Sequence, residues 1–234
     1  AASDVYKRQL IGIRTLLKDL GNPENTFKII HIAGTNGKGQ TATIINQLLC
    51  VHGFKTGCYT SPHLKDIRER ITIKGKFISK TNFTVSASIV LEIAKNYRGK
   101  PYLSYFDILT AIAFHAFMKK KLEWVVLETG LGGLADSTNV TNKELCVLTR
   151  VGLDHQRILG NSLLEIASEK IGITKPNIPI IVADQSIELK SWLNKQFLKL
   201  NVPCYFVNDI FDRYFPHHNL YAKFLSKPRI ASIK

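Results

Sequence analysis

An apolar run that ends in a glycine-rich turn bearing a lysine, and then passes directly into a helical pattern, leaves a chain few folds to choose from. Here the run is Phe27–Ala33 and the turn is Gly34-Thr35-Asn36-Gly37-Lys38-Gly39; the pattern over Lys38–Val51 predicts a helix. Glycines let the backbone curl so that successive N–H groups point inward, and the helix N-terminus adds a partial positive charge. Lys38 is placed to reach the β- and γ-phosphates of a nucleotide. The candidate phosphate site is therefore Gly34, Thr35, Asn36, Gly37, Lys38, Gly39, Gln40 and Thr41. Only two residues separate Gly34 from Gly37, so the spacing differs from G-x-x-x-x-G-K-[ST], and a plain glycine-rich turn is the competing reading.

The rest of the chain repeats the strand-to-helix alternation. Strands are predicted at Lys55–Thr60, Trp124–Leu127, Leu145–Thr149, Pro179–Ala183 and Tyr205–Val207, and helices near Ile11–Leu20 and at Phe83–Tyr97, Tyr105–Lys120, Ser162–Ile171 and Ile187–Leu200. Arg70–Ile73 and Lys76–Ile78 flank Lys74-Gly75, a hairpin signal. Such alternation predicts an α/β fold with a mostly parallel sheet flanked by helices and covered on both faces. Phe211–Lys234 shows no clear period and stays unassigned.

Composition bounds the function. With 45% hydrophobic and 21% charged residues in 234, the chain can build a packed core and is not a disordered segment. The net charge of +14 suits polyanionic partners, but the basic residues are scattered and their longest run is Lys119-Lys120-Lys121. That reads as a solvated basic surface, with no nucleic-acid partner. Cys50, Cys58, Cys146 and Cys204 lie far apart without a Cys-x-x-Cys pair, and three of them have apolar neighbours. Buried free thiols in a reducing compartment are expected. No apolar run reaches the roughly 18 residues of a membrane span, and Ile108–Met118, which contains His115, reads as a core helix. A cytoplasmic enzyme with no membrane partner is the expectation. Ala1–Gln9 fits the remainder poorly and reads as a non-native or artefactual segment.

A carboxylate belongs with a phosphate loop. Trp124–Glu128 is an apolar run that ends in an acid, and in open α/β sheets ligands collect beyond the carboxyl ends of the strands. Glu128 is thus placed where the Mg²⁺ of a bound nucleotide would sit. Gly130-Leu131-Gly132-Gly133 follows directly, suggesting backbone close to ligand.

These residues resemble the folylpolyglutamate synthase/dihydrofolate synthase family of the Mur ligase superfamily. The resemblance rests on five segments in order: His31–Gly39; Tyr59-Thr60-Ser61-Pro62-His63-Leu64 with Glu69-Arg70-Ile71 after it; Leu127–Gly133; Asp136-Ser137-Thr138-Asn139-Val140; and Gly152-Leu153-Asp154-His155 with Leu159-Gly160, Ile166-Ala167 and Glu169-Lys170. It covers roughly Leu10 to Ala183 and implies the P-loop NTPase-like central domain of a Mur ligase. It further implies an ATP-dependent amide ligase in which ATP phosphorylates a carboxylate of dihydropteroate or a reduced folate, and the amine of L-glutamate attacks the acyl phosphate. By resemblance, Ser61, Glu128 and His155 are magnesium ligands, and Lys170 is the lysine this family carries as a carbamate. Lys38, His155 and Lys170 are the implied catalytic set. Gly21, Asn22, Pro23, Pro62 and His63 are the implied substrate side. ATP and Mg²⁺ are the implied cofactors, and the complete enzyme is expected to be a monomer.

The sequence departs from the family pattern at Gln40, at Leu134, where many relatives have Arg with less consequence, and beyond Ala183. Gln40 stands where Ser or Thr is usual, which removes a hydroxyl from the phosphate site. Nothing after Ala183 resembles the second, glutamate-binding domain, and Pro216-His217-His218-Asn219 is a poor substitute for the Gly-x-His-Gln element near the end of the first. The expectation is an incomplete ATP-binding domain over 10–210 with a tail at 211–234, inactive alone. The alternatives are a non-catalytic or degenerate nucleotide-binding paralogue and another Mur-type ligase. Against the latter, cell-wall ligases resemble Gly-Thr-Asn-Gly-Lys-Thr, without a Gly39 after Lys38.

Overall fold

The computed structural model describes residues 10–97 and 102–214, with side chains to 210. The expectations for residues 1–9, for 215–234 and for Pro216–Asn219 lie outside the described residues. The elements run α1 (Ile11–Asp19), β1 (Lys28–Ala33), α2 (Lys38–Val51), β2 (Thr56–Tyr59), β3 (Ile71–Ile73), β4 (Lys76–Phe77), α3 (Lys80–Ala94), α4 (Tyr105–Lys119), β5 (Trp124–Glu128), β6 (Leu145–Leu148), α5 (Gln156–Leu159), α6 (Leu163–Ile171), β7 (Ile180–Val182), α7 (Ile187–Lys199), β8 (Cys204–Phe206) and α8 (Val207–Tyr214).

Eight strands form one sheet in the order β4-β3-β2-β5-β1-β6-β7-β8. From β2 to β8 every pairing is parallel, as helical crossovers require. The β3–β4 hairpin is the antiparallel edge. Its turn is Lys74-Gly75, both with positive φ, the two-residue geometry whose twist matches the flanking strands.

Strand periodicity sorts the core. On β1, Ile29 and Ala33 face one side and Ile30 and Ile32 the other. The first side is covered by α1, α3 and α4 over one half and by α6 and α7 over the other. On the opposite side α2 alone contributes helical side chains, through Ala42, Ile45 and Leu49. The expected cover on both faces is therefore uneven among the described residues. Ile108–Met118 does lie in the buried helix α4, and His115 with it.

Differences from the sequence reading have local causes. Helix α3 starts at Lys80 rather than Phe83, because Ser79 caps it through the Asn82 N–H and its first turn is polar. Arg70 lies in a 3-10 turn over Ile67–Arg70 rather than a strand, held by reciprocal Asp66 and Glu69 capping bonds. All four cysteines are free, but only Cys58 and Cys146 are buried; Cys50 and Cys204 are half-exposed.

Candidate functional site

The loops of the glycine, Ser61-Pro62, Glu128 and Gly152 segments each leave the carboxyl end of a parallel strand. β1 ends at Ala33 and feeds the glycine loop; its neighbours β5 and β6 end at Glu128 and Leu148, and β2 ends at Tyr59 before Thr60-Ser61-Pro62. The ends of four adjacent strands thus meet beside the N-terminus of α2, where an open parallel sheet collects ligands.

The glycine loop is built by close approach. Gly34 has φ +146°, and a Cβ there would lie 1.9 Å from Thr149 Oγ1. Gly37 caps α2 in the left-handed region. The first intrahelical bond runs from Thr41 N–H to the Gly37 carbonyl, so the N–H groups of Lys38, Gly39 and Gln40 have no acceptor within the helix. These are the donors available to an anion. Thr35 and Asn36 are differently placed: their N–H groups donate to the Arg150 carbonyl at 3.0 and 3.3 Å. The Thr35 hydroxyl donates to the Gly152 carbonyl and accepts from the Gly152 N–H, at 3.1 and 3.0 Å. Two of the eight loop candidates therefore tie the loop to the segment after β6.

Glu128 faces this loop. It is 3% exposed, and its Oε2 accepts the Ser61 N–H at 2.9 Å. Lys38 Nζ lies 4.0 Å from Oε1 and donates to the Thr35 carbonyl at 3.3 Å. A Cβ on Gly39 would stand 3.2 Å from Glu128 Oε2, so the residue after Lys38 is small where helix and carboxylate meet. Burial raises the Glu128 pKa, opposed by the Ser61 N–H and the Lys38 charge. A carboxylate this buried, with a lysine no closer than 4.0 Å, is electrostatically under-compensated and suits a hard cation. It lines a cleft of about 670 Å³ with Gly39, Gln40, Thr43, Ile44, Thr60, Ser61 and Pro62. A larger cleft, about 750 Å³, opens at the opposite end of the sheet beside Glu24, Trp124 and Glu144, away from all five sequence motifs.

Lys170 is the largest surprise of the site. Read alone, it is a solvated lysine on an amphipathic helix. In the fold it is 3% exposed and donates to the Gly34 carbonyl at 2.8 Å. Burial, reinforced by the charge of Lys38 and opposed by Asp154, lowers its pKa to about 8.

Two sets of the predicted residues do not line the cleft. Gly21, Asn22 and Pro23 precede β1, at the opposite end of that strand from Gly34, so this turn does not join the cleft; Pro62 and His63 do border it or adjoin it. His63 instead accepts a hydrogen bond from Arg70 Nε at 2.8 Å. His155 is exposed, with φ +47°, and lies 3.6 Å from Asp154. Among the described residues no group of three or more His, Cys, Asp and Glu is gathered to hold a metal, and His155 is not among the residues lining the cleft that Ser61 and Glu128 share.

The sequence reading placed Asp136 in a resemblance segment but gave it no role. This buried carboxylate accepts from the N–H groups of Gly130, Leu131 and Thr138 and from the Thr138 hydroxyl, shaping the second glycine loop. Burial still raises its pKa. Thr138 in turn accepts from His31 Nε2 at 2.8 Å, which leaves buried Nδ1 without a partner. Burial, with Lys143 and Lys175, holds the His31 pKa well below the usual range, so the ring is neutral. An acid three residues beyond Gly133 was the available signal.

No family model matches the chain. Curated relatives do. It is 44% identical over 168 residues to a probable dihydrofolate synthetase of Schizosaccharomyces pombe, covering 71% of this chain and 40% of that protein. It is 42% identical over 176 residues to the dihydrofolate synthase/folylpolyglutamate synthase of Bacillus subtilis, covering 73% and 40%. Among solved structures, Mycobacterium tuberculosis folylpolyglutamate synthase complexed with ADP superposes with a TM-score of 0.79 at 33% identity, covering 85% of this chain and 46% of that one. By sequence and by fold, the chain is a homologue of the folylpolyglutamate synthases and dihydrofolate synthetases and spans about 40% of the length of these curated relatives.

Proposed function

We propose that the chain carries the ATP site of a ligase that joins L-glutamate to dihydropteroate or a folate through an acyl phosphate. The observation that carries this reading is the meeting of three features at one point: the open N–H groups at the start of α2, the Lys38 ammonium, and the buried Glu128 carboxylate 4.0 Å from it. A carboxylate is a poor electrophile, and phosphorylation gives it a leaving group. The transferring phosphoryl group carries dispersed negative charge, which the Lys38 ammonium and the N–H groups of Lys38, Gly39 and Gln40 are aimed to stabilise. Ser61, Glu128 and His155 would hold Mg²⁺, which neutralises phosphate charge when bound. The Lys170 amine, with its pKa at about 8, is roughly one-tenth neutral at pH 7, far more than an unperturbed lysine. Neutral amine is the form that adds to CO₂ to give a carbamate and a proton. Pro62 and His63 remain the substrate-side candidates. The ADP complex of the Mycobacterium tuberculosis relative supports the nucleotide assignment. We read residues 10–210 as one ATP-binding domain of a cytoplasmic, monomeric enzyme; among the described residues no helix is long and apolar enough to cross a membrane.

One observation favours a second reading, a nucleotide-binding paralogue without ligase activity: Gln40 lines the cleft, where the resemblance implies a hydroxyl. Calorimetric titration with ATP at several Mg²⁺ concentrations tests the site. Lys38→Ala is expected to weaken ATP binding by tenfold or more, and Glu128→Gln to remove the Mg²⁺ dependence of affinity without loss of stability. Unchanged affinity in folded Lys38→Ala would sink the phosphate-loop assignment. Normal Mg²⁺ dependence in Glu128→Gln would sink the metal assignment. Tight ATP binding without glutamylation of dihydropteroate or tetrahydrofolate, in a protein extended to its relatives' length, would favour the paralogue.

A further inference from the structure

We infer that Gln185, which belongs to none of the motifs above, is a positioning residue for the phosphate loop; the functional half of this inference rests on that loop being the nucleotide site. Gln185 lies in the turn between β7 and α7 and is 8% exposed. Its Oε1 accepts the Val151 N–H at 3.1 Å, and its Nε2 donates to the Thr149 carbonyl at 3.1 Å. Both backbone groups lie just past the end of β6, where the strand ladder has stopped. The side-chain amide therefore stands in for a missing strand.

The consequence follows from peptide planarity. The Val151 N–H belongs to the same rigid unit as the Arg150 carbonyl, and in a trans peptide the two point in opposite directions. That carbonyl is the acceptor for the Thr35 and Asn36 N–H groups at 3.0 and 3.3 Å. Gln185 and the phosphate loop thus grip opposite edges of one peptide. The next residue, Gly152, makes both of its backbone bonds to the Thr35 hydroxyl. An apolar side chain at 185 leaves two groups of buried residues without partners and frees this peptide to rotate toward water. The loop then loses the fixed acceptor that sets where the N–H groups of Lys38, Gly39 and Gln40 point.

The test uses Gln185→Leu, which removes both bonds, and Gln185→Glu, which keeps the acceptor for Val151 and loses the donor to Thr149. Val202→Ala, in the apolar cluster under α7, controls for general destabilisation. Amide hydrogen exchange is read first, without nucleotide. Exchange at Thr35, Asn36 and Gly152 should rise about tenfold in Gln185→Leu relative to the amides of α4, rise less in Gln185→Glu, and stay level with α4 in Val202→Ala. ATP titration should then show a Kd about tenfold higher in Gln185→Leu and an intermediate rise in Gln185→Glu. Exchange at Thr35 and Asn36 that is unchanged, or raised no more than in α4, overturns the inference. So does faster exchange with an unchanged Kd. If the wild-type chain binds no ATP but exchange behaves as expected, the nucleotide reading fails and the hold of Gln185 on the loop stands. If Gln185→Leu does not fold, Gln185→Glu carries the same comparison.

Discussion

Lys170 offers a prediction that needs no ligand. Its ammonium is buried and its pKa falls from 10.5 to about 8. The folded state therefore holds this proton less tightly than the unfolded state, so the charged amine destabilises the fold. The penalty is fully present below pH 8 and disappears as the pH rises from about 8 to about 10.5. At about 1.4 kcal/mol per pKa unit it amounts to at most about 3.4 kcal/mol at neutral pH. Between pH 7 and pH 10 about 2.5 kcal/mol of it is recovered. Lys170→Met keeps the length of the side chain and removes the charge. Urea denaturation of both proteins in CO₂-free buffer at pH 7, 8, 9 and 10 isolates the effect, because every other titrating group is common to the two. Wild type should gain about 2.5 kcal/mol relative to Lys170→Met across that range. A difference that does not vary with pH would refute the reasoning, since it would mean that Lys170 titrates alike in folded and unfolded chains.

Three further outcomes are expected. Gly34→Ala should cost at least about 3 kcal/mol in denaturant titration, because φ +146° suits glycine alone and the new methyl meets Thr149 Oγ1 at 1.9 Å; a loss under about 1 kcal/mol would contradict that contact. Asp136→Ala should cost about 3 kcal/mol by the same assay, since it orphans four donors, and Asp136→Asn should fall between; equal stability of all three would show the loop needs no carboxylate. Gln40→Ser should tighten ATP–Mg²⁺ binding by ~1.5–3 kcal/mol at most, and weaker binding would show that the amide has a role of its own.

The α/β alternation, the parallel sheet and the glycine loop between strand and helix were legible in the chain because they are local. A strand declares itself by its apolar run, a helix by its period, and a tight strand-to-helix turn by its glycines. The Lys38–Val51 helix and the hairpin at Lys74-Gly75 were legible for the same reason. Glu128 was legible as the last residue of an apolar run, because strand ends point at ligands whatever the strand order.

Tertiary structure alone decided the rest. Whether Lys170 is solvated or buried depends on α6 lying against the Gly34 carbonyl, 136 residues away in sequence. Gly21-Asn22-Pro23 and Gly34 are neighbours along the chain, yet β1 carries them to opposite ends of the sheet. Gln185 has no signature at all: a side-chain amide becomes a strand substitute only where β6 stops and the turn after β7 lies against it. Sequence determines which groups are present and which local shapes they favour. Burial, and with it every shifted pKa and every long-range hydrogen bond of this site, exists only once the strands have been ordered.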